Sequence, residues 1–243
     1  MSDASSGTDD RGERLRERLH ERLGYRFAES TLLDEALSHR SVGGRNYERL
    51  EFLGDGLLNF AVAAELFRRR PDDEEGSLSR LRASLVRESA LAGIGRELAL
   101  GEHVRLGRGE LASGGFERDS ILADVVESLV GAVFLDAGFE AASSLVHRLM
   151  GDRFGKLPSG ESLKDPKTRL QELLQARGLE RPVYEIVDTR GEAHALRFTV
   201  RCTLPSHQVS IRATASSRRK AEQQAASEVL GNAETLLPPL ETR

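Results

Sequence analysis

Two groups of carboxylates are spaced to share a helix face. Glu48, Glu51 and Asp55 fall at i, i+3 and i+7, which places them within roughly 60° of one face at about 100° per residue. Asp124 and Glu127 stand at i, i+3 inside the apolar run from Ile121 to Val130, with no basic residue within one turn. Acids in such a run are costly to bury unless they are paired or bind a metal. For Glu48 alone, a solvated position or an ion pair explains the residue equally well. For Asp124 and Glu127 that explanation is weaker, because their neighbours are apolar. If the two faces pack together, four or five carboxylates converge and raise one another's pKa values. A divalent cation removes that cost, and an all-oxygen ligand set favours a hard ion, Mg²⁺ or Mn²⁺. Such a cage suits metal-assisted phosphodiester hydrolysis.

The elements that must position these acids are legible as helices. Tyr47 to Arg70 carries Leu50, Leu53, Leu57, Leu58 and Val62 at helical spacing and stops at Pro71. Ser120 to Asp136 is a long apolar helix, and Glu140 to Met150 reads as another. Leu15, Leu19 and Leu23 form one earlier stripe; Leu32, Leu33, Ala36 and Leu37 form a second. Ser77–Val86 and Leu91–Leu100 are further helices. Glu102–Gly115 is glycine-rich and reads as a loop. No strand pattern precedes residue 150, so this part is expected to be all-α.

After the linker-like stretch from Gly155 to Ser162 the pattern changes. Pro166–Arg177 reads as a helix closed by Gly178. Val183–Asp188 alternates weakly, and Arg190-Gly191-Glu192-Ala193 is a turn. Leu196, Phe198, Val200 and Cys202 alternate with polar residues as a half-buried strand does. Val209–Ala213 is a third strand candidate, and Ser217–Leu230 returns to helix. The expected organisation is a tail at 1–11, an all-α domain at 12–154, a flexible linker at 155–163, a small α+β domain of order α-β-β-β-α at 164–232, and a C-terminal tail at 233–243.

Charge separates the two parts. The 243 residues carry a formal net charge of −4, which alone argues against a nucleic-acid partner. Between Lys164 and Gly231, however, 12 Lys and Arg face 8 Asp and Glu, a net of +4, leaving −8 elsewhere. With 39% hydrophobic residues the chain can build a core. A single cysteine, Cys202, excludes a disulfide framework and a cysteine metal site and points to a reducing compartment. It continues the apolar face of a strand and is expected to be buried. The polar start lacks a signal-peptide core, and no stretch approaches a membrane-spanning length, so a soluble cytoplasmic protein is expected. His20, His103, His147 and His207 form no ligand pattern.

Asn46-Tyr47-Glu48-Arg49-Leu50-Glu51-Phe52-Leu53-Gly54-Asp55 resembles the signature of the ribonuclease III family nearly residue for residue. Leu33 to Ser41, which includes His39, is similar to its upstream motif. Glu75-Gly76 with Leu78-Ser79, Leu106 to Glu110, and Ser120 to Asp124 with Glu127 resemble the later ones, in order. The resemblance implies a metal site of Glu51, Asp55, Asp124 and Glu127, with Asp55 and Glu127 most critical for catalysis. It also implies auxiliary acids at Glu48 and Glu75, and a homodimer in which Phe52 inserts into the partner subunit; an ordinary core Phe is the alternative for that residue. His39 is expected to be structural. The implied activity is Mg²⁺-dependent cleavage of double-stranded RNA, leaving 5′-phosphate and 3′-hydroxyl ends, in ribosomal RNA precursors and structured messenger RNA.

The basic α-β-β-β-α part suggests a double-stranded RNA-binding domain, which reads duplex shape. By resemblance Thr168, Gln171 and Glu172 meet one minor groove and His194 the next, while Arg218, Arg219 and Lys220 meet phosphates. Two departures imply weaker binding: Ala213-Thr214-Ala215 stand where the family has loop glycines, and Glu222 stands where a basic residue is frequent. Rival readings are a duplex-RNA binder that does not cleave, and a hydrolase of small phosphorylated substrates.

Overall fold

The computed structural model describes residues 6–192, 195–205 and 209–237, with side chains from Gly12 onward, Glu161 aside. The chain forms two compact units, Met1–Gly160 and Glu161–Arg243.

The first unit contains α1 (Ser6–Leu23), α2 (Ser30–Ala36), α3 (Glu48–Arg69), α4 (Glu75–Val86), α5 (Glu88–Glu97), α6 (Arg108–Ala112) and α7 (Asp119–Met150). Among its described residues no strand is present, only an isolated bridge between Ser38 and Arg105. The all-α expectation therefore holds. Two local expectations change. Helix α1 starts at Ser6, inside the expected tail. The glycine-rich Glu102–Gly115 segment is not all loop, because α6 forms within it.

Helix α3 is well specified. The Asn46 side chain accepts from Glu48 N (3.0 Å) at its start. Glu48 and Glu51 stand in the first turn and Arg68 and Arg69 in the last, the charge order that the helix dipole favours. Helix α7 is broken at Gly138, whose φ of 81° only glycine adopts easily. The sequence reading of two helices here corresponds to the two arms of that kink. Most of the first arm is buried, including Val125, Val126, Leu129 and Val130. Ser128 Oγ donates to the Ala36 carbonyl (2.8 Å), which ties α2 to α7.

The most extensive packing joins α3 to α7. At their crossing both backbones carry glycine. A Cβ added to Gly54 would overlap the Glu127 carbonyl oxygen, and one added to Gly131 would overlap that of Leu50. The helices therefore meet backbone to backbone. Within the expected linker, the Leu157 carbonyl accepts from Arg70 (3.3 Å) and that of Gly160 from Arg80 (3.1 Å), so this stretch is held against α3 and α4.

The second unit contains α8 (Pro166–Ala176), β1 (Val183–Arg190), β2 (Arg197–Leu204), β3 (Val209–Ala215), α9 (Arg218–Gly231) and α10 (Ala233–Leu236). The strands form one antiparallel sheet in the order β1-β2-β3, with a bulge between Ile186 and Asp188. Leu170 and Leu174 of α8 and Ala225, Ala226 and Val229 of α9 pack with Cys202, Leu204 and Ala213. Leu237, within the expected C-terminal tail, joins this core.

Gly131→Ala is expected to destabilise the protein by about 1–3 kcal/mol, because the new methyl meets backbone that cannot rotate away. Chemical denaturation of the variant beside wild type measures it; a midpoint unchanged from wild type would refute the close-packing account.

Candidate active site and RNA-binding unit

The glycine contact fixes where the acids meet. Glu51 on α3 and Asp124 and Glu127 on α7 bring carboxylate oxygens within 4.8 Å of one another, and all three side chains are half-buried. Asp55 is not part of this tight group. It is exposed, and its Oδ1 accepts from Asn59 Nδ2 (2.6 Å), although its charge acts on Glu127 and Glu51. Glu48 is exposed and lies 3.6 Å from Arg40. Glu75 opens α4, where its carboxylate accepts from Ser79 Oγ (2.8 Å), and it belongs to no described carboxylate cluster.

The carboxyls perturb one another as converging acids do. Burial raises Glu51, and the charges of Asp124, Glu48 and Asp55 raise it further. Glu127 is pushed up to about 8, first by burial and then by Asp55, Glu51 and Asp124. Asp124 is raised by burial and by the Glu88 charge, against a hydrogen bond from Tyr47 and the fields of His39 and Arg40.

Two of these neighbours carry no role in the sequence reading. Tyr47 is buried, and its hydroxyl donates to Asp124 Oδ2 at 3.2 Å. Burial and the adjacent acids hold that phenol well above its usual range, so it stays a donor. Glu88 lies in the first turn of α5, where an acid reads as ordinary helix-dipole compensation. His39 accepts from Ser41 N (3.2 Å) and contacts Ser41 Oγ (2.7 Å), capping the turn Arg40–Val42, in line with a structural role.

These residues fit a divalent cation. Three carboxylates with oxygens within 4.8 Å of one another form an all-oxygen donor set, the kind that hard divalent ions take. Burial raises all three carboxyls, and neighbouring acids raise them further, a cost that a bound cation would offset.

In the second unit Asp165 caps α8 by accepting from Thr168 N (2.9 Å), and it contacts Thr168 Oγ1 at 3.2 Å. Thr168 and Glu172 are exposed and Gln171 half-buried. Glu172 already accepts from Lys164 Nζ (2.8 Å). Ser217 caps α9 by accepting from Lys220 N (3.2 Å), and Arg218, Arg219 and Lys220 are exposed. His194 lies outside the described residues. Ala213-Thr214-Ala215 are paired strand residues opposite Val200, Thr199 and Phe198, not a loop. Glu222 is buried and bonds Lys167 Nζ (2.6 Å) and Arg218 Nε (2.8 Å), so it joins α8 to α9.

Fold and site together define a class: a helical unit with a cluster of converging carboxylates, joined to a small α-β-β-β-α unit with a basic helix start. Residues 29–153 match the family model described as Ribonuclease-III-like, and residues 166–232 match the double-stranded RNA binding motif. A protein named Ribonuclease 3 from Alkalilimnicola ehrlichii is 55% identical over 212 residues, covering 87% of this chain and 93% of that one. Ribonuclease 3 of Vibrio cholerae is 51% identical over 213 residues, 88% of this chain and 95% of its own length. A crystal structure of the nuclease domain of Campylobacter jejuni ribonuclease III is 42% identical, with a TM-score of 0.56, over 58% of this chain and 97% of that domain. The chain belongs to the ribonuclease III family. It is a double-strand-specific endoribonuclease, of a family that uses divalent metal. Among the described residues no helix is long and apolar enough to cross a membrane.

The Glu127 carboxyl should cost the metal-free protein stability as pH rises. Because the folded pKa of Glu127 is raised from 4.5 to about 8, its neutral form favours folding at low pH, and that contribution fades between about pH 4.5 and pH 8. The acids held low, such as Glu222 and Asp136, act oppositely, but their contribution is complete above about pH 4.5. His20 and His103, held low by burial, add stability up to about pH 6.5 in both proteins, so the readout is a difference: in excess chelator, wild-type melting should fall relative to that of Glu127→Gln across that window. Mg²⁺ should restore wild type most at the alkaline end. A chelated wild type whose melting matches that of Glu127→Gln at every pH would contradict the burial of this carboxyl.

Proposed function

We propose that the carboxylate group is the hydrolytic centre of an enzyme that cuts duplex RNA with Mg²⁺, for which Mn²⁺ substitutes. The observation that carries this reading is the meeting of Glu51, Asp124 and Glu127 within 4.8 Å, in a chain of this family. Glu51, Asp55, Asp124 and Glu127 would hold the metal, with Asp55 and Glu127 most critical for catalysis. The ion supplies water activation and stabilisation of the departing oxygen. Around it, Tyr47 keeps one Asp124 oxygen fixed by donating to it, and Asn59 does the same for Asp55. Glu48 and Glu75 act at the rim, on RNA handling. Water adds to phosphorus, the bond to the 3′ oxygen breaks, and that oxygen takes a proton, leaving 5′-phosphate and 3′-hydroxyl ends.

The second unit grips the duplex by shape and charge. Thr168, Gln171 and Glu172 face one minor groove, His194 the next, and Arg218, Arg219 and Lys220 the phosphates between them. Glu222 supports this surface by fixing Arg218 and Lys167. Ribosomal RNA precursors and structured messenger RNA in the cytoplasm are the substrates that this reading favours.

The enzyme works as a two-fold homodimer. Phe52 is 84% exposed on α3, so a core role within one chain does not account for it. Phe60 and Phe67, at 60% and 74%, stand on a similar face of α3. Such a face calls for a partner, and a second copy would cover it isologously. Work on the Campylobacter jejuni nuclease domain describes a region involved in dimer formation.

Incubation of end-labelled duplex RNA with the protein should give short duplex products with Mg²⁺ and intact RNA with excess chelator. Glu127→Gln should lower cleavage by at least about a thousandfold while a native gel still shows bound RNA. Normal cutting by this variant would remove Glu127 from the centre. In sedimentation, Phe52→Ala should weaken the dimer by about one to two orders of magnitude, as expected for a lost buried Phe. A dimer of wild-type strength would dismiss Phe52 as the inserted residue.

A further inference from the structure

The acidic site has cations at its rim, and one of them is placed for a role that the carboxylates cannot fill. Arg40 begins the turn Arg40–Val42 between α2 and α3. Several contacts fix that turn. His39 N donates to the Arg105 carbonyl (3.0 Å), and the His39 ring caps the turn. Gly107 N donates to Ser41 Oγ (2.8 Å), and a Cβ on Gly107 would overlap the Ser41 carbonyl oxygen. The backbone of Arg40 is therefore anchored while its side chain stays 72% exposed.

The guanidinium rests on the Glu48 carboxylate at 3.6 Å, one turn before Glu51 on the face that leads to the metal acids. Its field also reaches Tyr47 and Asp124, lowering both against the effect of burial. The His39 ring nearby is buried and committed to Ser41, whose N–H it accepts, so it is not available to a ligand. Arg40 is thus the cation beside Asp124 whose side chain is open to solvent. An exposed pair at 3.6 Å is weak, because solvent screens it, so its partner can be exchanged at little cost. A phosphodiester approaching the acids is such a partner, and guanidinium matches its geometry well.

We propose that Arg40 binds a backbone phosphate of the RNA strand at the active site, leaving Glu48 to do so. Glu48 then serves as the resting partner that keeps Arg40 at the rim, which gives this auxiliary acid a physical role in RNA handling. The inference rests on the acids being the hydrolytic centre, but its readout is substrate binding rather than the chemical step.

The test is steady-state cleavage of duplex RNA with Mg²⁺ by the full chain, for wild type, Arg40→Ala, Glu48→Gln and the double variant, across a series of salt concentrations. Arg40→Ala should raise KM about tenfold with kcat within about threefold, and should flatten the slope of log kcat/KM against log salt by about one. The same increase should appear when Arg40→Ala is added to Glu48→Gln, because the phosphate contact does not need Glu48. Arg40→Lys should recover part of the KM, showing that charge at this place matters. An unchanged KM and salt slope would overturn the proposal. So would an Arg40→Ala effect that vanishes in the Glu48→Gln background, which would make Arg40 only a counter-charge for Glu48. Normal cutting by Glu127→Gln would sink the assignment of the centre instead, and the two failures are distinguishable because one is an unchanged kcat in Glu127→Gln and the other an unchanged KM in Arg40→Ala.

Discussion

At Gly54 and Gly131 the backbones of α3 and α7 come into direct contact, and the acids stand beside that contact. Side chains of ordinary size would hold two helices about 8–10 Å apart. Glycine on both partners removes that spacer, so carboxylates from different helices share one small space. Burial and like charge both resist this arrangement: burial raises all three carboxyls, and the neighbouring acids raise Glu51 and Glu127 further. Apolar burial along α7 supplies the opposing force, with Val125, Val126, Leu129 and Val130 sealed beneath the acids. A cation joining the acids would relieve the cost of burying them, so metal binding at this place would be linked to stability.

The surroundings of the site divide into fixed and adjustable parts. Tyr47 is buried and donates to Asp124, so its position is set by packing. Arg40 and Glu48 are exposed, and their pairing is weak enough to be rearranged by substrate. Asp55 lies between these extremes, exposed but tethered to Asn59 one turn along α3. An acidic site with a buried floor and an exposed rim suits a substrate as large as an RNA duplex, which must arrive from solvent.

The second unit solves a different problem with the same economy. Its sheet and two helices share a small core around Leu170, Cys202 and Val229. Lys167, Glu222 and Arg218 then bridge α8 to α9 at the edge of that core. A carboxylate that looks misplaced on a basic helix is the element joining the two helices on which RNA contacts are expected.

Much of this was legible in the sequence. Helix periodicity located α3 and both arms of α7, and the i, i+3, i+7 spacing put Glu48, Glu51 and Asp55 on one face, because these patterns follow from local geometry alone. The strand alternation through Cys202 was equally readable. Other features depend on residues far apart in the chain. That Glu51, Asp124 and Glu127 form the tight trio while Asp55 stands outside it depends on how α3 crosses α7. Tyr47 and Glu88 acquire their influence only when α5, α7 and the start of α3 are side by side. Glu222 reads as an unfavourable charge until Lys167, more than fifty residues earlier, is folded against it. Leu237 belongs to a tail until the core it closes exists. Spacing along a helix is a property of neighbours in sequence, whereas burial, charge coupling and bridging are properties of neighbours in space, and only the tertiary structure brings those together.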